Sequence, residues 1–255
     1  MRVFSDISWL RAALSERADG NLRIGPDTPA AEKEKRESGR RTFLIQAGIS
    51  GSLFTPFLTH SNRAGVVSDL PRPDLSKQSE RAESFSATAQ HYYIQDADAL
   101  ITSAKGAAIG VTVADCAPVF LADEKKKAIG AVHAGWRGLT TGILENTIAA
   151  LEQAFGSAPA DLRAWIGPCI GLCHFEVGGE VFEIFPPEVR RRTAAGLFVD
   201  LPLACRNALI FSGLLPEKIT IDGNCTYCAR DRFFSWRRDK PEDIQAMLAA
   251  LAIAG

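Results

Sequence analysis

Residues 107–114, AAIGVTVA, form a run of small apolar residues with almost no polar interruption. Such a run reads as a buried strand. APVFLAD (117–123) and AIGAVHAG (128–135) read as two more, separated by the charged turn EKKK. GLTTGILENTIAALEQAF (138–155) then changes period: Leu144, Ile148, Leu151 and Phe155 recur at helical spacing. RAWIGP (163–168) predicts a strand, and VGGEVFEIF (177–185) and LPLACRNALIFSGL (201–214) predict helices. KITID (218–222) and RFFSWRR (232–238) read as strands, and PEDIQAMLAALA (241–252) as a last helix with Pro241 near its start. Strands and helices mix without strict β-α-β alternation. That favours a mixed α+β or layered α/β architecture over a regular doubly wound sheet.

Upstream the pattern is more polar. Residues 15–41 are rich in charge, and 67–90 are polar with two prolines, reading as a long surface insertion within one domain spanning 1–255. The formal net charge of −1 gives no bulk basic field for nucleic acid or an anionic membrane. The N-terminal MRVFSDISWLRAAL has no long apolar run, and AMLAALAIAG is too short to span a bilayer. The expected location is therefore cytoplasmic, where six cysteines serve as thiols or metal ligands more readily than as disulfides.

Two residues carry the candidate chemistry. A hairpin centred between Glu124 and Lys125 puts Cys116 directly opposite His133. Directly opposed residues have Cβ atoms roughly 4.5–5.5 Å apart, and a slip of one residue would put them on opposite faces. His133 could deprotonate Cys116 for nucleophilic attack on a carbonyl. Alternatively both could bind Zn²⁺ with a third ligand, leaving a position for water. A buried thiol beside a core histidine is the bland alternative. The third ligand would be His60, His91 or His174, and position alone barely separates them. Cys169-x₃-Cys173 and Cys225-x₂-Cys228 have spacings that a Cys₄ zinc site tolerates, with unliganded thiols the alternative.

DADALITS, GVTVADCAPVFLAD, AVHAGWRGL, WIGPCIG, FEVG and CTYC…RFFSWRRDK occur in one order across about 98–240. In this the chain resembles the YfiH-type family, labelled both multicopper (laccase-like) polyphenol oxidoreductases and purine nucleoside phosphorylases. RRTFLIQAGISGSLFTPFLTHS resembles the family segment that ends in a metal-binding histidine, which points to His60 as the third ligand. The resemblance implies a layered α/β/β/α fold with mixed sheets, shared with cysteine-hydrolase-type deamidase toxins. It implies a metal, zinc or copper, on His60, Cys116 and His133. It also implies phosphorolysis of adenosine, inosine, guanosine and methylthioadenosine, and deamination of adenosine.

Deamination suits zinc: activated water attacks purine C6, ammonia leaves, and a nearby acid shuttles protons. Asp115 could be that acid, or could instead orient its neighbours. Phosphate needs an anion site, for which Arg137 at the start of a helix is a candidate, and Trp136 could stack on a base. Arg237 and Arg238 would alternate across a strand, one toward the pocket. Rival expectations are copper-dependent oxidation of phenols, a metal-free Cys–His amidase acting on cell-wall precursors, and a non-enzymatic metal-binding protein.

Overall fold

The computed structural model describes residues 1–68, 83–84 and 90–254. Most of the polar insertion read at 67–90 lies outside the described residues. Two mixed sheets stack face to face. The first runs in the order β1 (Arg2–Val3), β2 (Leu10–Leu14), β15 (Met247–Ile253), β8 (Ala107–Val113), β3 (Ser52–Pro56), β6 (Gln90–Ile94) and β5 (Glu83–Ser84). The second runs β14 (Ile219–Ile221), β11 (Leu162–Ile166), β9 (Ala117–Asp123), β10 (Ala128–Ala134), β7 (Ala99–Thr102) and β4 (Ala64–Val66). A separate ribbon pairs β12 (Arg190–Thr193) with β13 (Gly196–Val199). Helix α1 (Ala30–Ala47) covers the outer face of the first sheet. Helices α3 (Ile143–Phe155) and α5 (Leu201–Phe211) cover the outer face of the second. The layers are therefore α/β/β/α.

The central strands are buried on both faces, so their sequences run apolar without alternation. In β9, Val119 and Leu121 meet the helices while Phe120 and Ala122 face the other sheet. The same physics corrects the reading of the last element. AMLAALAI is the central strand β15, antiparallel to both β2 and β8. Ala249, Leu251 and Ile253 pack between the sheets, and Leu248, Ala250 and Ala252 pack under α1. A run apolar at every position fits a doubly buried strand as well as a helix, and neither period distinguishes them.

Two further expectations change. The long helix of 138–155 breaks at Thr141–Gly142, where Gly142 takes φ 90°, leaving α2 (Trp136–Thr140) and α3. RFFSWRR is not a strand. Phe233 and Phe234 are buried, and the Ser235 hydroxyl accepts from the Arg238 N–H at 3.2 Å, capping the single-turn helix α6 (Trp236–Asp239). The helix α4 (Gly179–Ile184) falls where VGGEVFEIF predicts one.

His91 lies on β6, 1% exposed, 2.8 Å from both an Arg40 guanidinium nitrogen and the Thr55 hydroxyl. It is a core histidine, outside the His60–Cys116–His133 donor group. Burial first, and then the Arg40 charge, push its pKa well below the usual value. The unfolded chain takes up a proton at His91 below about pH 6.5, while the folded chain does not. Stability is thus fully present above that pH and falls as acid is added, by at most about 1.4 kcal/mol per pH unit from this group. Urea unfolding from pH 7 to 5 is expected to show a shallower acid loss in His91→Gln than in the wild type. Equal slopes would contradict it.

Candidate metal centre and substrate cleft

Three loops at one end of the second sheet converge. The link from β8 to β9 carries Asp115 and Cys116, the end of β10 carries His133, and the loop after β3 carries His60. His133 pairs with Pro118 in the hairpin, so the register differs by two residues from the expected one and Cys116 stands just ahead of its strand. A shift of two keeps the face. One donor atom from each of His60, Cys116 and His133 lies within 4.8 Å of the others. His60 takes φ 59°, a left-handed turn that brings its ring edge-on to His133 at 5.1 Å between centroids. Gly135 seals the cluster: a Cβ there would sit 2.9 Å from the Cys116 sulfur and 3.3 Å from the His60 ring.

Asp98, fully buried, organises the site. Its carboxylate accepts from the backbone N–H of Thr59, His60 and Ser61, and from the Ser61 hydroxyl at 2.8 Å. It also lies 3.1 Å from His133 Nδ1. Burial alone would raise this carboxyl, but the His133 and Ser61 donors hold it well below the usual range. With Nδ1 engaged there, Nε2 of His133 is left for the cluster. The sequence signal was present in DADALITS, yet no role could be assigned to Asp98 without knowing that β7 and β10 are neighbours.

Burial pushes the Cys116 thiol up, but the adjacent His133 imidazolium outweighs it and brings it down to about 6. Cys116 in turn raises His133 to about 10 against desolvation. A thiolate at neutral pH suits both metal ligation and nucleophilic attack. Two imidazoles and one thiolate fit a catalytic zinc set with a fourth position open, and binding the ion would displace the His133 proton.

Asp115 takes φ 88° and points away into a hydrogen-bond knot. It accepts from the Thr226 hydroxyl at 2.6 Å, the Ser235 hydroxyl at 3.0 Å and the Arg237 N–H at 2.7 Å. Both of its carboxylate oxygens are engaged by these donors. Trp136 and Arg237 line a cleft of about 500 Å³ with Phe175, Glu176 and Val177. Arg237 donates to the Glu176 carbonyl, while Arg238 turns inward to the Thr226, Tyr227 and Phe233 carbonyls. So Arg237 faces the cleft, and Arg238 is structural. Arg137 is exposed, stacked over the Trp136 ring at 4.2 Å. The helix it opens has only five residues, a weaker anion end than expected. Of the other candidate ligands, His91 is held in the first sheet by Arg40 and Thr55, and His174 belongs to a different cluster.

The sequence profile of the multi-copper polyphenol oxidoreductase laccase family matches residues 22–252. The chain belongs to this family. A Bacteroides thetaiotaomicron relative named purine nucleoside phosphorylase is 32% identical, over 87% of this chain and 82% of its own. Purine nucleoside phosphorylase YfiH of Escherichia coli is 35% identical, over 70% and 74%. Adenosine deaminase RL5, from an unknown prokaryotic organism, is 31% identical, over 78% and 75%. The crystal structure of YlmD from Geobacillus stearothermophilus superposes with a TM-score of 0.81 at 25% identity, covering 98% of this chain and 94% of that one. The YfiH-type resemblance and the layered fold of the family are therefore both correct. No described helix is long and apolar enough to cross a membrane.

Proposed function

We propose that this chain is a zinc-dependent enzyme of purine nucleosides. It would catalyse phosphorolysis of adenosine, inosine, guanosine and methylthioadenosine, and deamination of adenosine. The observation that carries this reading is the convergence of His60, Cys116 and His133, backed by Asp98, next to a cleft lined by aromatic rings and an arginine. When bound, the ion supplies Lewis acidity and one coordination position for water or substrate. Asp98 holds the His133 ring, and with it the ligand geometry. Trp136, half-buried in the cleft wall, would supply the aromatic contact for a purine, with Phe175 behind it. Arg237 in the cleft, and Arg137 stacked on its Trp136, offer positive charge to phosphate. Asp115 fixes the backbone of Arg237 and so positions that charge.

The phenol-oxidase reading fares less well on donor supply. The chain has four histidines, and only His60 and His133 share this site. A multicopper cluster needs many more. The thiol-hydrolase reading keeps one specific support, the low pKa of Cys116 beside His133.

Adenosine turnover should be followed with and without phosphate, before and after chelation. Inosine without phosphate, adenine with ribose 1-phosphate in its presence, and loss of both on metal removal with recovery on adding zinc are expected. Activity that survives complete metal removal and is blocked by alkylating Cys116 would replace this reading with the thiol hydrolase.

A further inference from the structure

A second group of donors lies outside the site just described. Cys173 and His174 sit in the turn after β11, and Cys225 and Cys228 sit in the turn after β14. Their four donor atoms all lie within 4.8 Å of one another. Cys173 and Cys228 sulfurs are 3.7 Å apart, and the Cys228 sulfur is 3.3 Å from His174 Nδ1. Tetrahedral zinc with Zn–S of about 2.3 Å and Zn–N of about 2.0–2.1 Å has edges of about 3.8 Å between sulfurs and about 3.6 Å from sulfur to nitrogen. The observed separations are within a few tenths of an ångström of those edges.

The surroundings hold the donors in place. The Gly171 N–H donates to the Cys225 sulfur at 3.3 Å. Tyr227 stacks flat on the His174 ring at 4.0 Å between centroids, fixing its direction. The two turns are already joined by backbone: Cys169 bridges Cys225, and the Thr226 N–H donates to the Cys169 carbonyl at 3.0 Å. That bridge uses Cys169 as backbone and leaves its side chain buried in the core, so His174 stands where a fourth cysteine was expected.

We propose that Cys173, His174, Cys225 and Cys228 form a structural zinc site with all four positions closed by protein. Its place in the fold indicates its use. The Ile170 N–H donates to the Asp115 carbonyl and the Thr226 hydroxyl to the Asp115 carboxylate, so both turns brace the residue next to Cys116. Phe175, Glu176 and Val177, which line the cleft, follow His174 directly. The ion would staple the two turns that hold the cleft wall. The inference stands apart from the proposed activity, because it concerns different ligands.

Metal content should be measured on untagged protein by elemental analysis and native mass spectrometry, for the wild type, Cys116→Ala and the double variant Cys173→Ser/Cys228→Ser. The wild type is expected to hold about two zinc ions per chain and each variant about one. Cobalt(II) loaded into Cys116→Ala should still give an intense sulfur-to-metal charge-transfer band, since three thiolates remain at this cluster. That measurement holds even if the double variant fails to fold. Absence of the band overturns the proposal. So does a double variant with wild-type zinc content, or a Cys173–Cys228 disulfide in protein purified with zinc present.

Discussion

Cys116→Ala and His133→Ala are each expected to lose the ion from the candidate active site and to reduce nucleoside turnover by about 10²–10³-fold or more. Loss of a principal charge-stabilising group costs at least this much in other enzymes. The argument is one of ligand number. The site offers three protein donors, and two do not form a stable open zinc site. The two variants should nevertheless fold. Cys116 stands outside the regular strands, and β10 is held by β9 and β7 through its backbone. Circular dichroism and zinc analysis should be read together with turnover. A folded variant that keeps its active-site zinc would remove Cys116 or His133 from the ligand set. A folded variant that loses zinc but keeps turnover would show that the ion is not needed for the chemistry.

Asp98→Asn is expected to cost about 10–100-fold in metal affinity or activity, the usual scale for a residue that orients a ligand. The carboxylate is a pure acceptor, and every contact it makes is from a donor: three backbone N–H groups, the Thr59 and Ser61 hydroxyls, and His133. Asparagine keeps one acceptor oxygen and turns an NH₂ toward the remaining donors. A buried donor left without a partner costs roughly 1–3 kcal/mol. The same change therefore loosens the loop holding His60 and frees the His133 ring. Competition with a chelator of known affinity measures the first effect, and thermal unfolding the second. Unchanged zinc affinity would mean that Asp98 braces the loop without orienting a ligand. Asp98→Glu, which preserves charge but lengthens the arm, should not restore affinity, because an extra methylene at a fully buried residue displaces the carboxylate from its donors.

The meeting of Cys116 and His133 was legible because hairpin parity survives a register error of two residues. His60 was not legible from position alone, since its left-handed turn and the Asp98 network that holds it depend on tertiary neighbours. The resemblance, not the local pattern, pointed to it. The four-cysteine reading named the two turns, and the structure groups His174 rather than Cys169 with Cys173, Cys225 and Cys228. The spacing of Cys169 and Cys173 gives no sign that one is buried and that the adjacent His174 faces the other thiols. The apolar run at 246–253 was read as part of a helix over 241–252 and is instead a strand. Alanine, leucine and methionine favour helices in isolation, and pairing with β2 and β8 overrides that preference. The helix α1 was missed for the opposite reason: its buried stripe is carried partly by Arg36 and Arg40, whose whole side chains are buried and paired to Asp243, the Leu22 carbonyl and His91.

The position of β15 also has a consequence for biogenesis. The ribosome makes this strand after β2 and β8, yet it lies between them and hydrogen-bonds to both. Until it is released, the nascent chain carries two unsatisfied strand edges flanking a gap where Leu248, Leu251 and Ile253 will be buried. Residues more than two hundred positions apart must then find each other, which makes for slow, non-local folding. During that interval the half-made sheet exposes apolar strands that the finished fold buries, while the turns near residues 173 and 225 have already been synthesised.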